Sequence, residues 1–214
     1  DIRWIPLKDG LTDKEATKDI LDDDCGALLV QNPNFFGLLE DVESFADMAH
    51  EYKKCAMVLS GDPIALGILK RPGDQGVDVY IGEGQSLGVP MQFGGPFLGL
   101  MAVKKKYMRK LPGRIVGETV DEDGKRSYVL TLTAREQHIR REKATSNICS
   151  NQGLNVLAAT IYLSAMGKEG LYQVAYQSAQ KAHYAYEKML ETGKVKARFD
   201  APFFKEFVLE HEGD

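Results

Sequence analysis

Short apolar runs alternate with amphipathic stretches through the first hundred residues. Ala27 to Gln31 (ALLVQ) and Ala56 to Ser60 (AMVLS) are continuous apolar runs, the pattern of strands buried on both faces. Val77 to Ile81 (VDVYI) predicts a third strand, and Ile2 to Leu7 (IRWIPL) a short one ahead of them. Between the runs the period changes. Val42, Phe45, Ala49 and Tyr52 recur at helical spacing and predict a helix from about Asp41. Thr12-Asp13-Lys14-Glu15 has the form of a capping box, in which the threonine oxygen accepts a free amide hydrogen and the glutamate reaches back. It predicts a helix to about Asp23. Asp62-Pro63 pairs an N-cap residue with a proline at a first helical position. Strands alternating with helices at this spacing imply right-handed crossovers and a mainly parallel sheet with helices on both faces, an α/β class.

The link from Gly82 to Gly95 is too rich in glycine for a crossover helix, so Phe97 to Val103 (FLGLMAV) reads as one antiparallel strand reached by a broad turn. After Lys104 the texture changes. Lys104-Lys105-Lys106 is a basic run, Pro112-Gly113 punctuates it, and Glu122-Asp123-Gly124-Lys125 predicts a hairpin turn returning along Tyr128 to Thr133. Leu154, Leu157, Ala158, Ile161 and Ala165 predict a helix over 151–166 that Gly167 ends; a second follows over 168–192. Strands are expected at Val195 and at Phe207 to Leu209. The expected organisation is a partial large α/β domain over 1–150, long connecting helices over 151–193, and the start of a small α+β domain over 194–214.

Composition removes several classes. The formal net charge is −4 with 27% charged residues of mixed sign, so no basic field exists to displace counterions from nucleic-acid phosphates. No apolar run approaches the length of a membrane span, and no secretory signal pattern opens the chain, although Asp1 is not an initiator methionine. Cys25, Cys55 and Cys149 are odd in number and irregular in spacing, which argues against a disulfide framework; these cysteines suit a reduced, cytoplasmic setting. His50, His138, His183 and His211 lack zinc-ligand spacing.

Two constellations could carry chemistry. The segment from Val77 to Pro96 (VDVYIGEGQSLGVPMQFGGP) resembles the place where pyridoxal phosphate enzymes carry their Schiff-base lysine. Such a cofactor needs a lysine for its aldimine, a carboxylate facing the pyridine nitrogen, and a phosphate cup, all at the carboxyl ends of strands. Asp62 stands at the end of AMVLSG, either as that carboxylate or as a helix cap. Gln85 stands at the lysine position, and an amide forms no aldimine. Gly94-Gly95-Pro96 offers open backbone. The second constellation is AREQHIRREKATSNICSNQ. Arg135, His138, Arg140, Arg141, Asn147 and Asn151 are its candidate partner-facing or ligand-facing residues; a solvated, salt-bridged helix face is the other reading.

Three long segments carry a family resemblance: QNPNFFGLLEDVE, ILKRPGDQGVDVYIGEGQSLGVPMQFGGPFLGLMA and LPGRIVGETVDEDGKRSYVLTLTAREQHIRREKATSNICSNQ. They resemble the decarboxylating glycine dehydrogenases, the P-proteins of the glycine cleavage system, and within them subunit 1 (the α, or N-terminal, subunit) of the two-subunit version. The resemblance implies a partial fold-type-I, pyridoxal phosphate-dependent transferase-like large domain. It implies a subunit whose partner, subunit 2, bears the lysine and binds the cofactor covalently. An αβ pair then builds each site in a heterotetramer, and the assembly passes the aminomethyl group of glycine to the lipoyl arm of the H-protein with release of CO2.

On this resemblance Gln85 is the subunit-1 residue at the lysine position and no residue of this chain is catalytic; Asp62 stays open between a vestigial pyridine-nitrogen position and a simple cap. The chain by itself is expected to hold no cofactor and to be inactive. Both ends fall short of the full subunit, so the strand at Ile2 to Leu7 is expected to join a sheet lacking its first members, with edges another chain would cover. Two other functions stay open on the residues: a catalytic enzyme of the same fold with a displaced lysine, Lys70, and a non-enzymatic module that binds an anion or acidic partner through the basic segment.

Overall fold

The computed structural model describes residues 1–144, 151–211 and 213. The chain forms two units, one of Asp1–Ala102 with Asn155–Asp214, the other of Val103–Leu154. Unit 1 opens with a two-residue hairpin, β1 (Leu7–Lys8) and β2 (Leu11–Thr12). The strand expected over Ile2 to Leu7 does not form. Pro6 has no amide hydrogen to give a ladder, and Asp9-Gly10 (φ 52° and 80°) turns the chain back at once. Positive φ at both central residues is the geometry that makes Asp-Gly a hairpin signal.

Helix α1 (Lys14–Ile20) begins one residue later than the capping box implies. The Asp13 carboxylate, not the Thr12 hydroxyl, accepts from the amides of Glu15 and Ala16 at 2.9 and 3.1 Å. Thr12 lies in β2, where its hydroxyl donates to Glu40 at 3.1 Å.

Strand β3 (Ala27–Gln31), helix α2 (Val42–His50) and strand β4 (Ala56–Gly61) form the expected crossover, with β3 and β4 parallel. Asp41 caps α2 and accepts from the Ser44 amide. Val42, Phe45, Ala46, Met48 and Ala49 pack onto Leu28, Val30, Met57 and Leu59. Phe45 and Met57 are fully buried; each such side chain contributes about 1.5–3 kcal/mol by leaving water.

β3 is not buried on both faces. Leu28 and Val30 point into this core while Leu29, which alternation places on the opposite face, is 60% exposed; β3 is also the edge strand of the sheet. Strand β5 (Val79–Glu83) pairs in parallel with β4, two residues later than expected. No helix joins them. The turn after Asp62-Pro63 is a single 3-10 turn, Ala65–Gly67, followed by another at Pro72–Gln75. Strand β6 (Gly99–Val103) completes the order β3-β4-β5-β6 in a mixed, mostly parallel sheet.

In unit 2, β7 (Ile115–Val120) and β8 (Arg126–Thr131) pair antiparallel around the expected turn. The Asp121 carboxylate organises it, accepting from the amides of Asp123 and Lys125 at 3.0 and 2.8 Å. A short helix, α3 (Gln137–Arg140), follows.

The helical stretch α4 (Gly153–Glu191) is broken at Gly167 (φ 61°, ψ −170°), the position expected from sequence. Within unit 1 it builds a second core. Ala159 and Ala175 are buried among Ile64, Ala65, Leu87, Leu98 and Phe204. A side chain at Gly67 would meet the Leu171 carbonyl oxygen at 2.7 Å, so the turn after β4 lies directly on α4. Strands β9 (Val195–Ala197) and β10 (Leu209–His211) form the antiparallel C-terminal pair.

Candidate functional site at the carboxyl ends of the parallel strands

In open α/β sheets the carboxyl ends of parallel strands form the ligand side. Three turns meet that edge here. After β3, the Asn32 amide donates to the Ser60 carbonyl at 2.8 Å and its side-chain oxygen accepts from the Glu40 amide at 2.9 Å. The Asn32-Pro33 peptide is cis. Glu40, almost fully buried, also accepts from the Thr12 amide and from Asn34 Nδ2, so one carboxylate ties the first hairpin to the turn after β3.

After β4 comes Asp62. Its Oδ1 accepts from the Ile64 amide at 2.9 Å, and its Oδ2 is ion-paired with the Lys205 ammonium. Its two oxygens are thus separately engaged, and since the 3-10 turn begins only at Ala65 with Ile64 at its N-cap position, Asp62 organises the turn without capping a helix. Lys205 was not apparent from sequence, since nothing local to Asp62 signals a partner so far along the chain. It arrives on a segment stitched down by Leu39 N to Pro202 O (2.8 Å), Phe204 N to Gly37 O (3.1 Å) and a bridge between Leu38 and Phe203. Gln31, Asn34, Asp62, Lys205 and Glu206 line a cavity of about 180 Å³ beside the pair. Tyr80, on β5, donates its hydroxyl to the Gly61 carbonyl at 3.0 Å. Burial, and then the Asp62 charge, push its phenol up to about 12.

After β5 comes Gln85. Its Nε2 donates to the Pro96 carbonyl at 2.8 Å. Glu83 Oε1 accepts from the amides of Gln85 and Leu98 at 3.0 and 2.7 Å, and the Gly84 amide donates to Leu98 O at 2.6 Å. Glu83 thus closes the turn, a role that no local sequence signal marks. At Gly94 and Gly95 an added Cβ would meet nothing within 4 Å.

Lys70 does not join this edge. Its ammonium pairs with Glu43 in the first turn of α2 at 2.8 Å.

The basic residues lie in unit 2 and differ in role. The Arg135 guanidinium donates to the carbonyls of Leu111 and Gly113, so it braces the turn before β7. His138 is exposed beside the Arg114–Glu136 pair (3.7 Å). Arg140 Nε donates to Ala134 O at 3.3 Å, and Arg141 is exposed at φ 51°. Asn151 accepts from the Gly153 amide at the start of α4. Asn147 and Cys149 lie outside the described residues. Burial raises the Cys55 thiol above its ordinary value, consistent with an inert core cysteine. Among the described residues no cluster of three or more metal-ligating side chains occurs, and no helix is long and apolar enough to cross a membrane.

The family model described as "Glycine cleavage system P-protein" matches residues 6–214. A relative from Moorella thermoacetica, named "Probable glycine dehydrogenase (decarboxylating) subunit 1", is 55% identical over 98% of this chain and 47% of its own length. The chain thus spans about half the length of the curated relatives it matches. A crystal structure of glycine decarboxylase (P-protein) of the glycine cleavage system, in inhibitor-bound form, superposes with a TM-score of 0.90 at 48% identity, over 98% of this chain and 47% of that one. A NifS-like protein from Rickettsia africae shares the fold at 14% identity, with a TM-score of 0.61 over 94% of this chain and 49% of that one. The sheet is that of the fold-type-I enzymes. On the family match and the near full-length identity, this chain belongs to the P-protein family of the glycine cleavage system.

Proposed function

We propose that this chain is part of the non-lysine subunit of a two-subunit glycine decarboxylase, and that it completes the active-site wall and the αβ interface for a lysine-bearing partner. The observation that carries this is Gln85. It occupies the strand-end turn at the position the resemblance gives to the Schiff-base lysine, and its amide is spent on the Pro96 carbonyl. An amide cannot condense with an aldehyde. Asp62, the strand-end carboxylate considered for a pyridine nitrogen, already faces Lys205. These residues do not fit pyridoxal phosphate held within this chain.

In the whole enzyme subunit 2 would hold the cofactor, which would supply the electron sink for a decarboxylation whose acceptor would be the lipoyl H-protein. This chain's contribution is shape, exclusion of water and a surface for its partner. Relatives named as subunit 1 support a partner subunit; a heterotetramer in the cytoplasm is the assembly this reading carries. A displaced-lysine enzyme finds less support, since Lys70 is engaged with Glu43 on α2.

The test is co-expression of the full-length subunit with its lysine-bearing partner. Glycine-dependent CO2 exchange is expected from the pair and from neither subunit alone, and borohydride reduction should fix the cofactor to the partner only. A reduced cofactor-labelled peptide from this chain would overturn the reading.

A further inference from the structure

We propose that Lys205 is a built-in cation occupying the place where a cofactor's pyridinium would face the strand-end carboxylate, so that this chain's half of the site is filled from within. The proposal rests on the non-lysine reading above and on Asp62 as the pyridine-facing position. It extends both by naming what took the cofactor's place.

Position is the first support. Asp62 directly follows β4, which lies between the parallel strands β3 and β5, on the edge where such folds put their ligands. An anion there needs a cation. Asp62 Oδ1 is satisfied by the Ile64 amide, which leaves Oδ2 for Lys205. The two side chains are 23% and 32% exposed, so both are largely withdrawn from solvent.

Delivery is the second support. Phe204, 2% exposed, anchors the segment in the second core, while the His183 ring stacks on Phe203 with centroids 4.0 Å apart. Gly37 (φ +80°) lets the segment lie down, since a Cβ there would sit 2.0 Å from the Glu206 carbonyl oxygen. Lys205 is thus held from both sides and aimed at one oxygen. An exposed ion pair of opportunity needs no such arrangement.

Chemical rescue separates a cation slot from an incidental ion pair. The protein is the full-length subunit assembled with its lysine-bearing partner, in wild-type, Lys205→Ala, Asp62→Asn and Asp62→Asn/Lys205→Ala forms. Lys205→Ala strands a half-buried carboxylate and should lower the melting temperature by about 5 °C. The double variant, with no charge to strand, should melt higher than Lys205→Ala. Propylammonium should restore Lys205→Ala saturably, beyond sodium chloride at equal ionic strength, and should leave the double variant unchanged. If Lys205→Ala does not fold, assembly of the double variant where the single fails is the expected result.

Absence of saturable rescue, equal rescue of the double variant, or a double variant no more stable than the single would each overturn the proposal. Cofactor released by phenylhydrazine should remain one per αβ pair in all four forms. A second equivalent in the wild type would overturn both this proposal and the non-lysine reading. Failed rescue with one equivalent would overturn this proposal alone.

Discussion

Gln85 Nε2 donates to the Pro96 carbonyl at 2.8 Å, so the side chain at the lysine position ties together the two ends of the glycine-rich turn between β5 and β6. That bond gives the residue a structural task in this chain. It acts beside the two amides that donate to Glu83 Oε1 and the Gly84 amide that donates to the Leu98 carbonyl on the same turn.

Replacing Gln85 with lysine should therefore not create an enzyme. The ammonium cannot repeat the amide's geometry at Pro96, and Asp62 is already paired with Lys205. Gln85→Lys in the full-length subunit without its partner should show no aldimine absorbance and no glycine-dependent CO2 exchange. Gln85→Ala should cost about 0.5–1.5 kcal/mol in urea unfolding, the net worth of one partly exposed hydrogen bond.

Gly37 should be far less tolerant. Its φ of +80° strains any other residue, and its missing Cβ is where the Glu206 carbonyl passes. Gly37→Ala should cost about 2–4 kcal/mol, by the strain of the left-handed backbone and the displaced segment. Limited proteolysis should cut within 202–206 in the variant sooner than in the wild type. Equal cleavage rates would show that the segment does not depend on this approach.

Elements whose physics is local were legible in the sequence. β3 matches its apolar run, β4 extends its run by one residue, and the break at Gly167 falls where a glycine follows an apolar periodic stretch. The misses have two causes. Some local signals compete with others: the apolar look of Ile2 to Leu7 masks the Asp9-Gly10 turn, and Thr12 and Asp13 are both good capping residues side by side. The others depend on what lies nearby in space. A continuous apolar run cannot reveal that β3 sits at a sheet edge with Leu29 outward. Nor can Asp62-Pro63 reveal that α4 crowds the following turn at Gly67. The candidate site divides the same way. Gln85 and Asp62 could be found by their places after strands, whereas Lys205 needed the fold.

Asp78, the residue before β5, is buried and accepts from the Met57 amide at 3.1 Å and faces His50 Nε2 at 2.8 Å. It joins the end of α2 to the first pairing of β4 with β5. Asp78→Ala strips the acceptor from a buried backbone amide and should cost about 2–3 kcal/mol. His50→Ala, at a half-exposed position, should cost less. Chemical denaturation of both variants tests the order; a larger loss at His50 would mean that the link to α2, and not the Met57 amide, dominates.

The acid limb of stability should carry a signature from Asp41. The Lys14 ammonium, 2.5 Å from its carboxylate, and the Ser44 hydroxyl hold its carboxyl down at about 2. A folded-state value below the unfolded one means that the charged form favours folding. That contribution is fully present above about pH 4, the ordinary aspartate range, and is lost as pH falls toward 2. The Asp41 side chain is 51% exposed, so solvent screening limits the ion pair to under about 1 kcal/mol. Asp41→Asn keeps a capping oxygen and removes the charge. The wild type should exceed it in urea midpoint at pH 7, the gap should close between pH 4 and pH 2, and high salt should narrow it at neutral pH. A gap that is flat across pH would assign the stabilisation to the Ser44 amide and hydroxyl, and not to Lys14.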